Sequence, residues 1–70
     1  DALEIKANES CKYFLRNYKI DDIPASICLG AILRDNDIII PSHSTSIEPG
    51  DQLLIFLNQE SISKAESLFT

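Results

Sequence analysis

With 70 residues, 11 Asp or Glu against 6 Lys or Arg, and a formal net charge of −5, the chain has room for one small acidic domain. The charge disfavours nucleic acid as a partner, because binding to phosphates needs a basic face. No stretch approaches the ~20 consecutive apolar residues of a membrane span, and the start lacks a basic-then-apolar targeting pattern, so no direct membrane insertion is expected. Because the sequence begins at Asp1 without Met, we expect a domain excised from a longer protein.

The first predicted elements are a strand and a helix. Residues Ala2–Ala7 alternate between apolar and polar at first, which is typical of a half-exposed strand. Asn8, Glu9 and Ser10 supply helix-capping residues. The helix that follows has one apolar face, formed by Cys11, Phe14, Leu15 and Tyr18. We expect it to end at Asp21-Asp22-Ile23-Pro24, because Pro disfavours helical geometry in the preceding residue.

Two further strands are predicted in the middle of the chain. Residues Ala25–Leu33 are apolar at nearly every position, and this strand ends in Arg34. The polar turn at residues 35–37 leads into the short strand Ile38–Ile40, which Pro41 closes.

A turn and a third strand come next. Glu48-Pro49-Gly50-Asp51 predicts a type II turn, because Pro49 fixes φ at the first central position and Gly50 supplies the positive φ that the second requires. Leu53–Leu57 follows as a strand. The last helix is predicted over Gln59–Phe69, capped by Asn58, with Ile62, Ala65, Leu68 and Phe69 on its apolar side. The order βαβββα indicates an α+β fold, a mostly antiparallel sheet with two helices on one face.

The composition of the strands also predicts an assembly. Neither Ala25–Leu33 nor Leu53–Leu57 alternates, so both faces of the sheet should be covered. Two helices cover one face, and a second copy of the domain is the simplest cover for the other. We therefore predict a homodimer centred on Ala25–Leu33 or Ile38–Ile40. The alternative is that a neighbouring domain of the longer chain covers this face.

Several motifs resemble those of the TrkA-C domain family, also called RCK-C. They are Gly30-Ala31-Ile32-x-Arg34, Ile38-x-Ile40-Pro41 and Glu48-Pro49-Gly50-Asp51. Asn36-Asp37, Ile47-Glu48-x-Gly50-Asp51, Ile55-Phe56-Leu57 and Glu66-x-Leu68-Phe69 look like the C-terminal end of the regulatory subunit of the Trk potassium-uptake system. The resemblance extends from Leu3 to Phe69.

The resemblance implies a dimer-forming module without catalytic activity. It would act in the cytoplasm, peripheral at the inner face of the cell membrane, to gate or assemble a membrane-embedded potassium transporter subunit. Dinucleotides or adenine nucleotides would bind only a preceding Rossmann-type domain, so we expect no cofactor in this one. With only Gly30 and Gly50, neither a G-x-G-x-x-G loop nor a P-loop is present. The alternative is an effector-binding receptor domain for an anionic small ligand such as a cyclic dinucleotide, attached to another ion or solute transporter.

Three polar residues are candidates for ligand binding: Arg34, Asn36 and His43. Arg34, at a strand end beside a polar turn, could bind a phosphate or carboxylate, but an ion pair with Asp51 is the favoured interpretation. His43 is the only histidine and has no nearby Cys, so a metal site lacks ligands and a solvated loop histidine is the favoured interpretation. No nucleophile, base and orienting group can be assembled, and we predict no enzyme.

The two cysteines are too few for a disulfide framework. Cys11 and Cys28 lie in apolar stretches, which predicts reduced, packed thiols and a cytosolic compartment. A disulfide between the two is the less favoured alternative.

Overall fold

The apolar and alternating segments pair into a single antiparallel sheet. The computed structural model describes all of residues 1–70. Its elements are β1 (Ala2–Lys6), α1 (Lys12–Leu15), β2 (Ile27–Arg34), β3 (Asp37–Ile39), β4 (Gln52–Leu57) and α2 (Ile62–Phe69). Short 3₁₀ turns lie at Ile20–Asp22 and Gln59–Ser61. The predicted α+β fold with the order βαβββα is confirmed.

The last strand lies at the centre of the sheet. The spatial order is β1-β4-β2-β3, so β4 pairs with β1 on one side and with β2 on the other. Cross-strand partners share a face of the sheet. Leu3, Ile55 and Leu29 form one row, and Ile5, Leu53, Ile32 and Ile39 form another. These rows face the helices and form what we call the inner face.

The core lies between the inner face and the helices. Leu53 and Ile55 of β4 are 0% exposed, as are Ile32 of β2 and Phe69 of α2. Tyr13 of α1 packs on Phe69 with ring centroids 5.4 Å apart. Both helices therefore cover the same face, as the sequence predicts. Neither α1 nor α2 has the length and apolar character that a membrane-crossing helix needs.

A loop also covers part of the inner face. Residues 40–51 connect the edge strand β3 to the central strand β4, and Ile47 in this loop is buried with the core residues. The sequence did not predict this contribution, because Ile47 is a single apolar residue in a polar segment.

The first helix is much shorter than predicted. It ends after Leu15, because Asn17 adopts a positive φ of 54°. The Tyr18 N–H donates to the Tyr13 carbonyl at 2.9 Å, and the Asn17 N–H donates to Phe14 at 3.0 Å. This pair of bonds is the Schellman motif, which ends helices at a residue with left-handed geometry.

The shortened helix buries a different set of side chains. Leu15, predicted on the apolar face, is 71% exposed, whereas Tyr13, which was not assigned to that face, is only 2% exposed. The predicted side-chain caps are also absent. Asn8 accepts a hydrogen bond from the Ser10 N–H in a turn before α1, and Asn58 makes no side-chain cap.

The second face of the sheet, which we call the outer face, carries no helix. Ala2, Phe56 and Cys28 form one row on it. Cys28 is exposed, so the prediction of a packed thiol is wrong for this residue, while Cys11 is buried. Both thiols are free, without a disulfide. Cys28 is exposed because the alternation of β2 points it away from the helices.

A bulge in β2 lies beside an aromatic ring of the outer face. The register of β2 against β4 shifts between Leu29 and Ala31, leaving Gly30 as the extra residue. A Cβ at Gly30 would collide with the Phe56 ring. Glycine therefore lets the Phe56 side chain lie directly against the β2 backbone.

Replacing Gly50 with Val should lower the free energy of unfolding by about 1 to 3 kcal/mol, because β-branched residues rarely adopt positive φ. The φ of Gly50 is +91°, and a Cβ there would meet no atom within 4 Å, so crowding adds nothing. Urea unfolding measures the loss. Gly50→Asn is the control, because Asn tolerates positive φ better. Equal losses in both variants would contradict the conformational explanation.

Candidate functional site

The turn before β4 has the predicted geometry. The Asp51 N–H donates to the Glu48 carbonyl at 3.1 Å, and Gly50 has the positive φ of a type II turn. Two backbone hydrogen bonds also join the turn to the end of β1. The Gly50 N–H donates to the Ala7 carbonyl, and the Ala7 N–H donates to the Asp51 carbonyl, each at 2.8 Å. Pro49, Gly50 and Asp51 therefore form a fixed structural corner.

Arg34, at the end of β2, is bound to this corner. Its Nε donates to Asp51 Oδ1 at 2.9 Å and its Nη2 donates to Oδ2 at 2.8 Å, a bidentate pair. Nη2 also donates to the Ser46 carbonyl at 2.8 Å, and Nη1 lies 2.9 Å from Glu48 Oε2. Four of the five guanidinium N–H groups are used within the chain. The ion pair with Asp51, favoured from the sequence, is present; the contacts with Ser46 and Glu48 were not predicted.

Asp51 is the buried member of this cluster. Its side chain is 2% exposed, against 28% for Arg34. Burial alone would raise the pKa of Asp51, but the hydrogen bonds from Arg34 and from the Glu48 N–H, together with the Arg34 charge, hold it below its ordinary value. Asp51 is therefore ionised at neutral pH, and it neutralises Arg34.

The three candidate ligand-binding residues do not share a cavity. Arg34 lines a polar cavity of about 280 Å³ together with Asp35 and residues 48–51. Asn36 is exposed in the turn between β2 and β3 and lines no cavity. His43 lies in the loop before β4, at the boundary of two adjoining cavities on the helix side. A single ligand that contacts all three residues within one copy is not favoured by this arrangement.

The outer face carries exposed apolar side chains that no other element of the chain covers. Strand pairing places Cys28, Leu33, Ile38 and Phe56 there, and the exposed Ile40 directly follows β3. Ile38 and Ile40 are 71% and 74% exposed, and Leu33 and Phe56 are 42% and 47% exposed. Soluble monomers rarely expose contiguous apolar surface of this kind without a function for it. We call these five residues the outer patch.

The orientation of the sheet divides the residues of the two predicted interface segments, Ala25–Leu33 and Ile38–Ile40, between its two faces. Leu29 pairs with the fully buried Ile55, and Ile39 pairs with the fully buried Ile32, so both residues face the helices. An interface on the outer face cannot be centred on them. Leu33 and Ile38, which also belong to the predicted interface segments, are cross-strand partners on the outer face.

Neither metal binding nor acid–base chemistry is favoured by the arrangement of the side chains. No group of three or more His, Cys, Asp or Glu side chains is placed to hold a metal ion. Asp21 and Asp22 are exposed, and the Asp22 carboxylate accepts the Lys19 N–H at 2.8 Å in a local turn. Asp22 lines a cavity of about 220 Å³ with Lys12, Arg16 and Lys64, whereas Asp21 lines none, so the two carboxylates do not share a cleft.

Comparison with known proteins identifies the family. The family model described as the TrkA-C domain matches residues 3–70 of the chain. The chain belongs to the TrkA-C domain family. A solved structure described as "Structure of RCK domain with cda" superposes with a TM-score of 0.74 over 96% of both chains, and its 24% sequence identity supports the shared fold alone.

Two relatives have a described role in potassium uptake. The Trk system potassium uptake protein TrkA homolog of Archaeoglobus fulgidus is 40% identical over 47 residues, 67% of this chain and 11% of that protein. The Trk system potassium uptake protein TrkA of Haemophilus influenzae is 40% identical over 48 residues, 67% of this chain and 10% of that protein. The matched segment therefore spans about a tenth of each relative, and this TrkA-C domain is similar to one part of a much longer protein.

Replacing Arg34 with Ala should lower the free energy of unfolding by more than the loss of an exposed arginine does, because the buried Asp51 carboxylate loses its charged hydrogen-bond partner. Arg34→Lys should lie between wild type and Ala, because an ammonium keeps the charge but not the bidentate geometry. The control is Arg16→Ala, since Arg16 is exposed and makes no salt bridge. Urea unfolding measures both variants. Equal losses of unfolding free energy in Arg34→Ala and Arg16→Ala would contradict the structural role of Arg34.

The stabilising effect of Asp51 should depend on pH. Its folded-state pKa lies below the ordinary value, so the ionised group stabilises the fold above the unfolded pKa and loses that effect as pH falls through the folded pKa. The advantage of wild type over Asp51→Asn should therefore shrink as the pH falls below about 4, the ordinary pKa of an Asp side chain. Unfolding measured at intervals from pH 7 downward tests this, and a difference that does not change with pH would contradict it.

Proposed function

We propose that this TrkA-C domain is a regulatory and dimerisation module of a potassium-uptake system, which gates or assembles a membrane-embedded transporter subunit. The observation that carries the proposal is the outer patch. The domain works without catalysis of its own, in the cytoplasm, peripheral at the inner face of the membrane. Nucleotide binding belongs to a preceding Rossmann-type domain of the longer protein.

The outer patch fits a second copy of the domain. Specific interfaces bury ~800 Å² per partner, which is roughly one-sixth of the 4582 Å² accessible surface of this chain. The outer face is one of the two sides of the sheet and can supply such an area. It also reaches the sheet edge, because β3 pairs with β2 alone. A two-fold axis through this face would bring the same patch of both copies together, as in most homodimers.

The family supports the regulatory part of the proposal. Both relatives described above are named as Trk potassium uptake proteins. A paired module can transmit a ligand-driven change from neighbouring domains by rigid-body movement of the two copies. The dimer then serves as the mechanical link between a ligand-binding domain and the transporter.

The alternative function, a receptor that binds an anionic ligand such as a cyclic dinucleotide between paired domains, has less support from the chain. Arg34, its main cationic candidate, already donates to Asp51 and Ser46 and lies beside Glu48. An incoming anion would have to compete with two carboxylates for that guanidinium.

The functional test uses the full-length parent protein in cells that depend on it for potassium uptake. Charge placed in the outer patch should reduce uptake while the protein is still expressed, because paired regulatory domains would separate. Uptake is measured as the initial rate of rubidium entry. Normal uptake with the outer patch disrupted would contradict the proposal.

The pairing itself is tested on the 70-residue chain by sedimentation. Wild type should form a dimer at micromolar concentration, whereas Ile38→Lys and Leu33→Lys should sediment as monomers, because an unpaired ammonium would be buried at the joint. Leu15→Lys is the matched control, since Leu15 is as exposed as Ile38 but lies on α1, over the opposite face. A wild-type monomer would indicate that a neighbouring domain covers the outer face instead.

A further inference from the structure

A second surface, on the helix side, gathers half of the positive charge of the chain. A groove of about 220 Å³ lies between α2 and the segment formed by α1 and the residues that follow it. Lys12, Arg16 and Lys64 line this groove, three of the six Lys and Arg residues in the sequence. Asp22 is the one carboxylate of the lining, so the groove carries +2 and the rest of a chain that totals −5 carries −7. We call this site the basic groove.

The three cations of the basic groove have no anionic partner within the chain. No salt bridge joins Lys12, Arg16 or Lys64 to a carboxylate. Asp22, although it lines the groove, uses its carboxylate to accept a backbone N–H in its own turn. Lys12 Nζ lies 3.3 Å from Ser67 Oγ, which is neutral. Three positive charges thus remain without a counter-charge in a chain that has 11 Asp or Glu residues.

The positions of these cations do not favour the stability of the fold. Lys12 begins α1 and Arg16 caps its end, four residues later, where like charges are neighbours and repel each other. Lys64 lies in the first turn of α2, where the helix dipole disfavours a cation. Ser67 follows Lys64 by three residues, so Lys12, which contacts Ser67, approaches the same face of α2 as Lys64. Placements that oppose local stability are expected at functional sites.

An exposed leucine beside the groove favours a protein as the partner. Leu15 lies on α1 three residues after Lys12 and directly before Arg16, and it is 71% exposed. Specific protein interfaces combine apolar anchors of this kind with a polar and charged rim. A free inorganic anion would use the cations of the groove but not the leucine.

An extended anionic surface is a less suitable partner than a short segment. A membrane or a nucleic acid presents negative charge over an area larger than the groove, so it would also meet the acidic remainder of the chain. Repulsion between exposed charges acts over about 8 Å at physiological ionic strength. The 8 residues of α2 extend over about 12 Å, a length that about four residues of extended chain would span. A segment of that size would contact the cations without approaching the rest of the surface.

We propose that the basic groove binds a short acidic segment of a partner protein, in which Glu or Asp side chains flank an apolar residue. The carboxylates of the segment pair with Lys12, Arg16 and Lys64, and its apolar side chain packs on Leu15. This inference is independent of the proposed function, because the groove lies on the helix side of the sheet and needs no dimer through the outer patch.

Titration of the 70-residue chain with short synthetic peptides, followed by amide shifts in NMR spectra, tests the proposal. A peptide of Glu and Leu should bind saturably, with the largest shifts at residues 12–16 and 64–68, and its affinity should fall as salt is added. The same peptide with Gln in place of Glu should not bind, and one with Gly in place of Leu should bind more weakly. Equal affinity for the Glu and Gln peptides, or shifts centred outside these residues, would overturn the proposal.

A sedimentation assay with vesicles of phosphatidylserine and phosphatidylcholine tests the membrane as the partner. The chain should remain in the supernatant, because its acidic remainder is repelled by the anionic lipid. Sedimentation of the chain with these vesicles, lost in Lys12→Gln, would overturn the proposal, since the groove would then serve a lipid surface.

Variants separate the groove from general charge attraction. Lys12→Gln and Lys64→Gln should each weaken binding of the Glu and Leu peptide about two- to fivefold. Lys6→Gln is the matched control, because Lys6 is an exposed lysine of β1 that does not line the groove. Equal weakening by Lys64→Gln and Lys6→Gln would overturn the assignment.

Thermal unfolding separates a binding role from a structural one. Lys64→Gln should leave Tm unchanged or raise it, because the substitution removes a cation from the first turn of α2. A clear fall in Tm relative to Lys6→Gln would show that Lys64 stabilises the fold itself, and it would overturn the binding role of this residue.

Discussion

The structure depends most on the ion pair between Arg34 and Asp51. Three segments meet at this pair: one end of β2, the corner before β4 and the end of β1. Arg34 donates to the side chain of Asp51, and the Ala7 N–H donates to the Asp51 carbonyl. The same guanidinium fixes the loop at Ser46 and pairs with Glu48. An ionised carboxylate that is 2% exposed is tolerable only with such a partner, so the Pro49-Gly50 turn and the Arg34 position constrain each other.

The central position of β4 explains why a small domain has an apolar surface to offer. β4 is flanked by strands on both sides, so its backbone groups are paired and its side chains alternate between two layers. Leu53 and Ile55 pack under the helices, while Phe56 lies on the outer face over Gly30. With 70 residues the chain covers one side of its sheet with its own helices, and the other side keeps its apolar side chains exposed.

The elements that follow from local chemistry were predictable. The strands, the Pro-Gly turn and the Arg34–Asp51 pair come from periodicity, backbone preferences and the meeting of a strand end with a turn. The end of α1 was missed, although Asn17 is a residue type that tolerates left-handed geometry and ends helices. The exposure of Cys28 could not be predicted, because it depends on which β2 residues face the helices. The bulge at Gly30 shifts the alternation midway along the strand, so one pattern does not describe the whole of β2. The core contact of Ile47 depends on the path of the loop before β4, which no periodicity encodes.

The outer patch and the loop before β4 are linked at the end of β2. Leu33 belongs to the outer patch, and the next residue, Arg34, donates to the Ser46 carbonyl of the loop. Arg34 also holds Asp51 at the corner before β4, the strand that pairs with β2. A movement of this loop would therefore act through the guanidinium on the strand that carries the outer patch. Thermodynamic linkage makes any such coupling reciprocal, so a loop position that favours pairing through the outer patch is itself favoured by pairing.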